Sequence, residues 1–127
     1  MLSLNTKRVY EKFSEDDGFR VLIDRLWPRG LNKKRAKIDY WAKEIAPSTE
    51  LRKWFSHDPE KWSEFKKQYF KELGEHPQEI SFIVKKADQG TVTLVFGSKE
   101  ERFNNAVALM EYLRKVSKRS AVVKTTH

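Results

Sequence analysis

Apolar and polar positions fall into short, legible blocks along this chain. Val9 and Phe13 lie on one face of residues 6–13, which reads as a strand. Phe19, Val21 and Ile23 alternate with Arg20, Leu22 and Asp24 in "FRVLIDRL", which reads as a second strand. Asp17-Gly18 lies between them and supplies a turn with positive φ, so the spacing predicts an antiparallel pair. Residues 91–96, "TVTLVF", are β-branched and nearly all apolar, as expected of a strand covered on both faces.

The longer periods are helical. Trp62, Phe65, Tyr69 and Leu73 recur at three- and four-residue steps behind an Asp58-Pro59 start, and Gly74 closes the segment. Residues 78–88 carry Ile80, Ile83, Val84 and Ala87 on one side. Ala106, Leu109, Met110, Leu113 and Val116 do the same near the end. Residues 39–46 read as a short helix stopped by Pro47, and Ser48 as the N-cap of the next one. Together the blocks predict a single small α/β domain over residues 1–116, with a short central sheet of about three to four strands flanked by helices. Residues 117–127 read as a basic, flexible tail.

Composition supports a folded chain and narrows the chemistry. The 127 residues include 39% hydrophobic and 13% aromatic side chains. There is no cysteine, which removes disulfides and thiolate chemistry and fits a reducing, cytoplasmic setting. No apolar run has signal-peptide or membrane-spanning length. Three scattered histidines do not form a metal site, and the sequence leaves the cofactor unknown.

The net charge of +8 invites a nucleic-acid reading, but half of it comes from Lys115, Lys118, Arg119 and Lys124 at the C-terminus. The other basic run is Lys33, Lys34, Arg35 and Lys37. A solvated face accounts for both.

Candidate chemistry concentrates where two strands stop. "LIDRLWPRG" places Asp24, Arg25, Trp27 and Arg29 at the end of the second strand, where Pro28 cannot continue a ladder and Gly30 lets the chain turn. "FGSK" places Ser98 and Lys99 at the end of strand 91–96, before Asn104 and a helix. If the two strands are parallel, these clusters are neighbours beyond their carboxyl ends, the usual place for ligands in open α/β sheets. The arginines suit a phosphate or carboxylate, and Trp27 a planar group. The helix start after "GSK" adds free backbone N–H groups. The weaker catalytic candidates are Asp24, Arg25 and His57. A purely structural corner, with Trp27 as a core anchor, explains the same residues. Ser98 has the hydroxyl of a nucleophile, but the sequence ties no histidine to it.

These stretches, with "DDGFRVLIDRLWPRGL", "IAPSTELRKWF" and "NNAVAL", resemble the YeaO-like family, a family of domains of unknown function. The resemblance runs from about Lys7 to Val116. It implies a compact cytosolic α/β domain and no established activity. It marks Asp24, Arg25, Trp27, Arg29, Ser48, Glu50, Arg52 and Asn104 as recurring polar positions, with Glu50 expected to pair with Arg25 or Arg29. Many relatives carry a histidine beside the asparagine matching Asn104, whereas here the neighbours are Phe103 and Asn105.

Three functions follow in order. The first is binding of a small anionic ligand, nucleotide-like among the options, at Asp24, Arg25, Trp27, Arg29, Ser98, Lys99 and Asn104. The second is a nucleic-acid module built on residues 33–37 and the tail. The third is a protein-interaction domain with the Trp27/Arg29 corner as interface. No membrane partner is expected.

Overall fold

A computed structural model describes residues 2–125, with side chains described through Lys118. Four parallel strands form one sheet in the order β1-β4-β2-β3. They are β1 (Leu4–Arg8), β2 (Phe19–Leu22), β3 (Tyr40–Trp41) and β4 (Val92–Phe96). The helices are α1 (Lys33–Ala36), α2 (Thr49–Phe55), α3 (Trp62–Leu73), α4 (Pro77–Gln89) and α5 (Asn105–Thr125). The tail expected over 117–127 begins within α5, whose backbone is described through Thr125, and its side chains beyond Lys118 lie outside the described residues.

Sheet position follows from apolar content. Every residue of β4 is buried, and this strand takes the place between β1 and β2. The expected antiparallel pairing of the first two strands is therefore incorrect. Each of them runs parallel to β4, and they do not touch each other as a ladder. The first strand also lies earlier than residues 6–13. The chain turns at Arg8, where Glu11 returns both its N–H to the Arg8 carbonyl and its carboxylate to the Arg8 N–H. Gly18 has φ +66°, as its turn requires, and a Cβ there would lie 2.2 Å from the Thr91 carbonyl oxygen.

Residues 39–46 are not a helix. Tyr40 and Trp41 add a fourth strand beside Val21 and Leu22, and a 3-10 turn follows at Lys43–Ile45. The two aromatics explain the outcome, because a strand sends neighbours to opposite faces. Tyr40 packs edge-on against Phe82 at 5.1 Å, and Trp41 against Trp27 at 5.4 Å. Asp39 adds a carboxylate that accepts from the Arg20 N–H at 2.8 Å.

The sheet faces are unequal. Val21, Ile23, Val92, Leu94 and Phe96 meet α2, α3, α4 and α5 in the main core. Leu22 and Val95 form a smaller core on the other face with Val9, Trp27, Leu31, Ile38 and Trp41. The aromatic stripe of α3 serves the main core, with Phe65 stacked on Phe55 at 4.2 Å between ring centroids. Among the described residues no helix is long and apolar enough to cross a membrane.

Candidate functional site

The parallel sheet brings the ends of β2 and β4 side by side, as the sequence required for a shared site. A hollow of about 430 Å³ opens there, within the size range of small-molecule sites. Its lining includes the aspartate Asp24 and three arginines, Arg25, Arg29 and Arg52. Ser98, His57 and Asn105 complete the polar lining.

Asp24 is half-buried and fixes the two strand ends to each other. Its Oδ2 accepts from the Gly97 N–H at 2.8 Å. Gly97 suits this approach, since a Cβ there would sit 3.0 Å from that oxygen. The Asp24 carbonyl accepts from the Trp41 indole at 2.7 Å. Burial pushes the Asp24 carboxyl above the usual aspartate range, against the opposing pull of the Gly97 N–H, the Asn105 amide and the Arg52 guanidinium.

Arg25 is tethered from one side only. Its Nη2 donates to the Ala46 carbonyl at 3.0 Å, with Nε at 3.4 Å from that of Pro47. A guanidinium has five N–H donors, so donors remain for a ligand. Arg29 and Arg52 are exposed. None of the three forms an ion pair among the described residues. The expected pairing of Glu50 with Arg25 or Arg29 is accordingly absent there. The carboxylate at the Ser48 cap is Glu72, which accepts from the Ser48 N–H at 2.8 Å and its hydroxyl at 2.6 Å.

A serine–histidine pair sits at the same rim. His57 Nε2 lies 3.3 Å from Ser98 Oγ, and Nδ1 lies 3.2 Å from the Phe103 carbonyl oxygen. A carbonyl only accepts, so in the neutral tautomer that serves both contacts His57 donates from Nδ1 to Phe103 and accepts a hydrogen bond from the Ser98 hydroxyl on Nε2. Ser56 and His57 both have positive φ, 46° and 55°, and this double left-handed step carries the chain out of α2 and points it toward the "GSKEERF" loop. The sequence names both residues but not their contact, which links positions 41 residues apart.

Other expected site residues lie elsewhere. Lys99 is exposed and outside the hollow. Asn104 is fully buried and caps α5, accepting from the Val107 N–H at 3.0 Å while its amide donates to the Glu100 carbonyl at 2.7 Å. The start of α5 is thus closed by its own cap and does not follow "GSK" directly. Asn105, the next residue, takes the site position and donates to the Ile23 carbonyl at 3.1 Å. Trp27 touches the hollow, but its indole donates to the Leu31 carbonyl at 2.8 Å and belongs to the smaller core. It is a corner anchor. Lys33, Lys34, Arg35 and Lys37 are exposed on and just after α1, away from this hollow.

Local reading also passed over Tyr10 and Arg8. The Tyr10 hydroxyl donates to the Arg29 carbonyl at 2.9 Å, and Arg8 Nε donates to the Ser98 carbonyl at 2.9 Å. Both come from the end of β1, whose position beside β4 only the sheet order reveals. Arg52 is marked by the resemblance alone.

Residues 3–126 match the family model described as "Inactive DUF488-N3 subclade". The chain is 41% identical over 113 residues to "Uncharacterized protein YeaO" of Escherichia coli (strain K12), covering 89% of this chain and 98% of that protein. It is 38% identical over 106 residues to "Uncharacterized protein Rv3073c" of Mycobacterium tuberculosis (strain ATCC 25618 / H37Rv), covering 84% and 89%. The same figures hold for "Uncharacterized protein Mb3100c" of Mycobacterium bovis (strain ATCC BAA-935 / AF2122/97). No solved structure matches the chain. With a family model spanning nearly every residue and relatives aligned over most of both chains, the protein belongs to the YeaO-like family, in the subclade described as inactive DUF488-N3.

Proposed function

We infer that this protein binds a small anion, bearing phosphate or carboxylate, in the hollow beyond the ends of β2 and β4. One observation carries the reading. Arg25, Arg29 and Arg52 line one hollow, and none of them is neutralised by an ion pair among the described residues. The single carboxylate in that wall, Asp24, is already held by a backbone N–H and raised toward its neutral form. An anion arriving there meets guanidiniums that grip oxygens bidentately. The family description "inactive" accords with binding, and no reaction is assigned to the Ser98–His57 pair.

A thermal-shift series with phosphate, sulfate, sugar phosphates, nucleotides and carboxylates tests this. A ligand at about 100 times its Kd adds roughly 2.7 kcal/mol of stability. The expected result is a rise in Tm for one anion class in the native chain and a reduced rise in Arg52→Ala, which removes an exposed side chain. No response to any anion contradicts the reading. So does a response that is undiminished in both Arg52→Ala and Arg29→Ala.

A further inference from the structure

We propose that the anion this hollow takes is an organic one, a phosphate or carboxylate carrying a flat apolar body, which lies against the apolar part of the same lining. The proposal rests on the anion-binding reading and specifies its ligand.

The wall is built from the chain's least expected apolar exposures. Four large apolar side chains are conspicuously exposed among the described residues: Tyr10, Leu26, Trp54 and Phe82. Two of them, Leu26 at 65% and Tyr10 at 46%, stand at the mouth of this one hollow. Leu26 sits between Arg25 and Trp27, where solubility alone favours a polar residue. Pro28 and Pro47 are buried residues that reach the lining, and so do the stacked Phe55 and Phe65.

Size points the same way. A bare phosphate or sulfate occupies a small part of about 430 Å³. The lining also includes Leu26, Pro28, Pro47, Phe55 and Phe65, whose apolar surface gains nothing from an inorganic ion. It gains from a ring that leaves water for that wall. The polar groups then fix orientation, with the anionic head toward Arg25, Arg29 and Arg52 and the Ser98–His57 pair at the rim as a further hydrogen-bonding contact.

The test is calorimetric titration with inorganic phosphate, phenyl phosphate and benzyl alcohol. The proteins are the native chain, Leu26→Ser and Arg52→Ala. Phenyl phosphate is expected to bind about tenfold more tightly than inorganic phosphate, the order of gain from burying one ring face. Leu26→Ser is expected to weaken phenyl phosphate about threefold and leave inorganic phosphate unchanged. Arg52→Ala is expected to weaken both anions. Leu26 is exposed, so its variant keeps the native fold, which its melting curve verifies. Equal affinity for the two anions overturns this proposal and leaves anion binding standing. Binding of neither anion, with acetate and benzoate titrated alongside and equally silent, overturns both readings. Benzyl alcohol binding as tightly as phenyl phosphate also overturns both, because the charge then contributes nothing.

Discussion

Two aspartate–arginine clusters sit on this small sheet and behave in opposite ways. Asp17 lies 7% exposed beside Arg20, which is 1% exposed. The Arg20 guanidinium reaches the Asp17 carboxylate with Nη1 and the Ala36 carbonyl with Nε and Nη2. Lys7 adds a second cation at 3.1 Å. Burial works to raise the Asp17 carboxyl, but the Ser14 N–H, Lys7 and Arg20 outweigh it and hold the group below the usual range. Asp24 has guanidiniums in the same hollow but no ion pair, and burial leaves its carboxyl raised. The first cluster spends its charges on itself. The second keeps its arginines open to something outside the chain. Paired charge of the first kind maintains the fold, and unpaired charge of the second kind is a capacity for binding.

The comparison breaks most visibly at the first cluster. Arg20→Met leaves a buried carboxylate short of a partner and is expected to cost about 3–5 kcal/mol of stability, measured by urea unfolding. Anion affinity below the variant's Tm should be unchanged. Arg52→Ala should do the reverse. Anion affinity falls about tenfold by calorimetry, the scale of one charge-assisted hydrogen bond, while stability moves by less than about 0.5 kcal/mol. Asp24→Asn removes a negative charge beside the ligand and keeps an oxygen for the Gly97 N–H. It should tighten anion binding about threefold.

Acid sharpens the same contrast. Asp17 has a depressed folded pKa, so its stabilisation is present above the ordinary carboxylate range, near 3.8, and is lost as pH falls through the lower folded value. Asp24 has a raised folded pKa, so its ionised form is a cost above that value, relieved as pH falls through it. With sulfate, whose charge is constant over the range, titrating the native chain from neutrality toward pH 4 should therefore strengthen anion binding as Asp24 protonates. Asp24→Asn should show a smaller rise, since His57 at the same rim still gains charge in acid. A rise of equal size in Asp24→Asn contradicts the assignment to Asp24.

Local chemistry was legible where one segment decides its own outcome. The Asp58-Pro59 start, the α3 stripe and the fully apolar β4 were readable because caps and periodicity are local. The shared end of β2 and β4 was readable only on the condition that the two strands are parallel, which the sheet meets. Tyr40 and Trp41 were misread because a two-residue strand has no period, and only Phe82 and Trp27 on opposite faces settle it. Asn104 and Asn105 look interchangeable in a row, but one caps α5 and the other lines the hollow. The His57–Ser98 contact depends on packing between segments far apart in sequence. So does the company of Arg8 and Tyr10, which only the neighbour relation of β1 and β4 brings to the rim.

The central claim is that the open arginines, and not the basic run of α1, receive the anion. Titrating inorganic phosphate into isotope-labelled protein tests it residue by residue through amide and arginine Nε–H resonances. The account predicts saturable shifts at Gly97, Ser98 and Asn105 and at the side chains of Arg25, Arg29 and Arg52, with Lys33, Lys34, Arg35 and Lys37 unmoved. Shifts concentrated on α1, or none around the hollow at saturating phosphate, would contradict it.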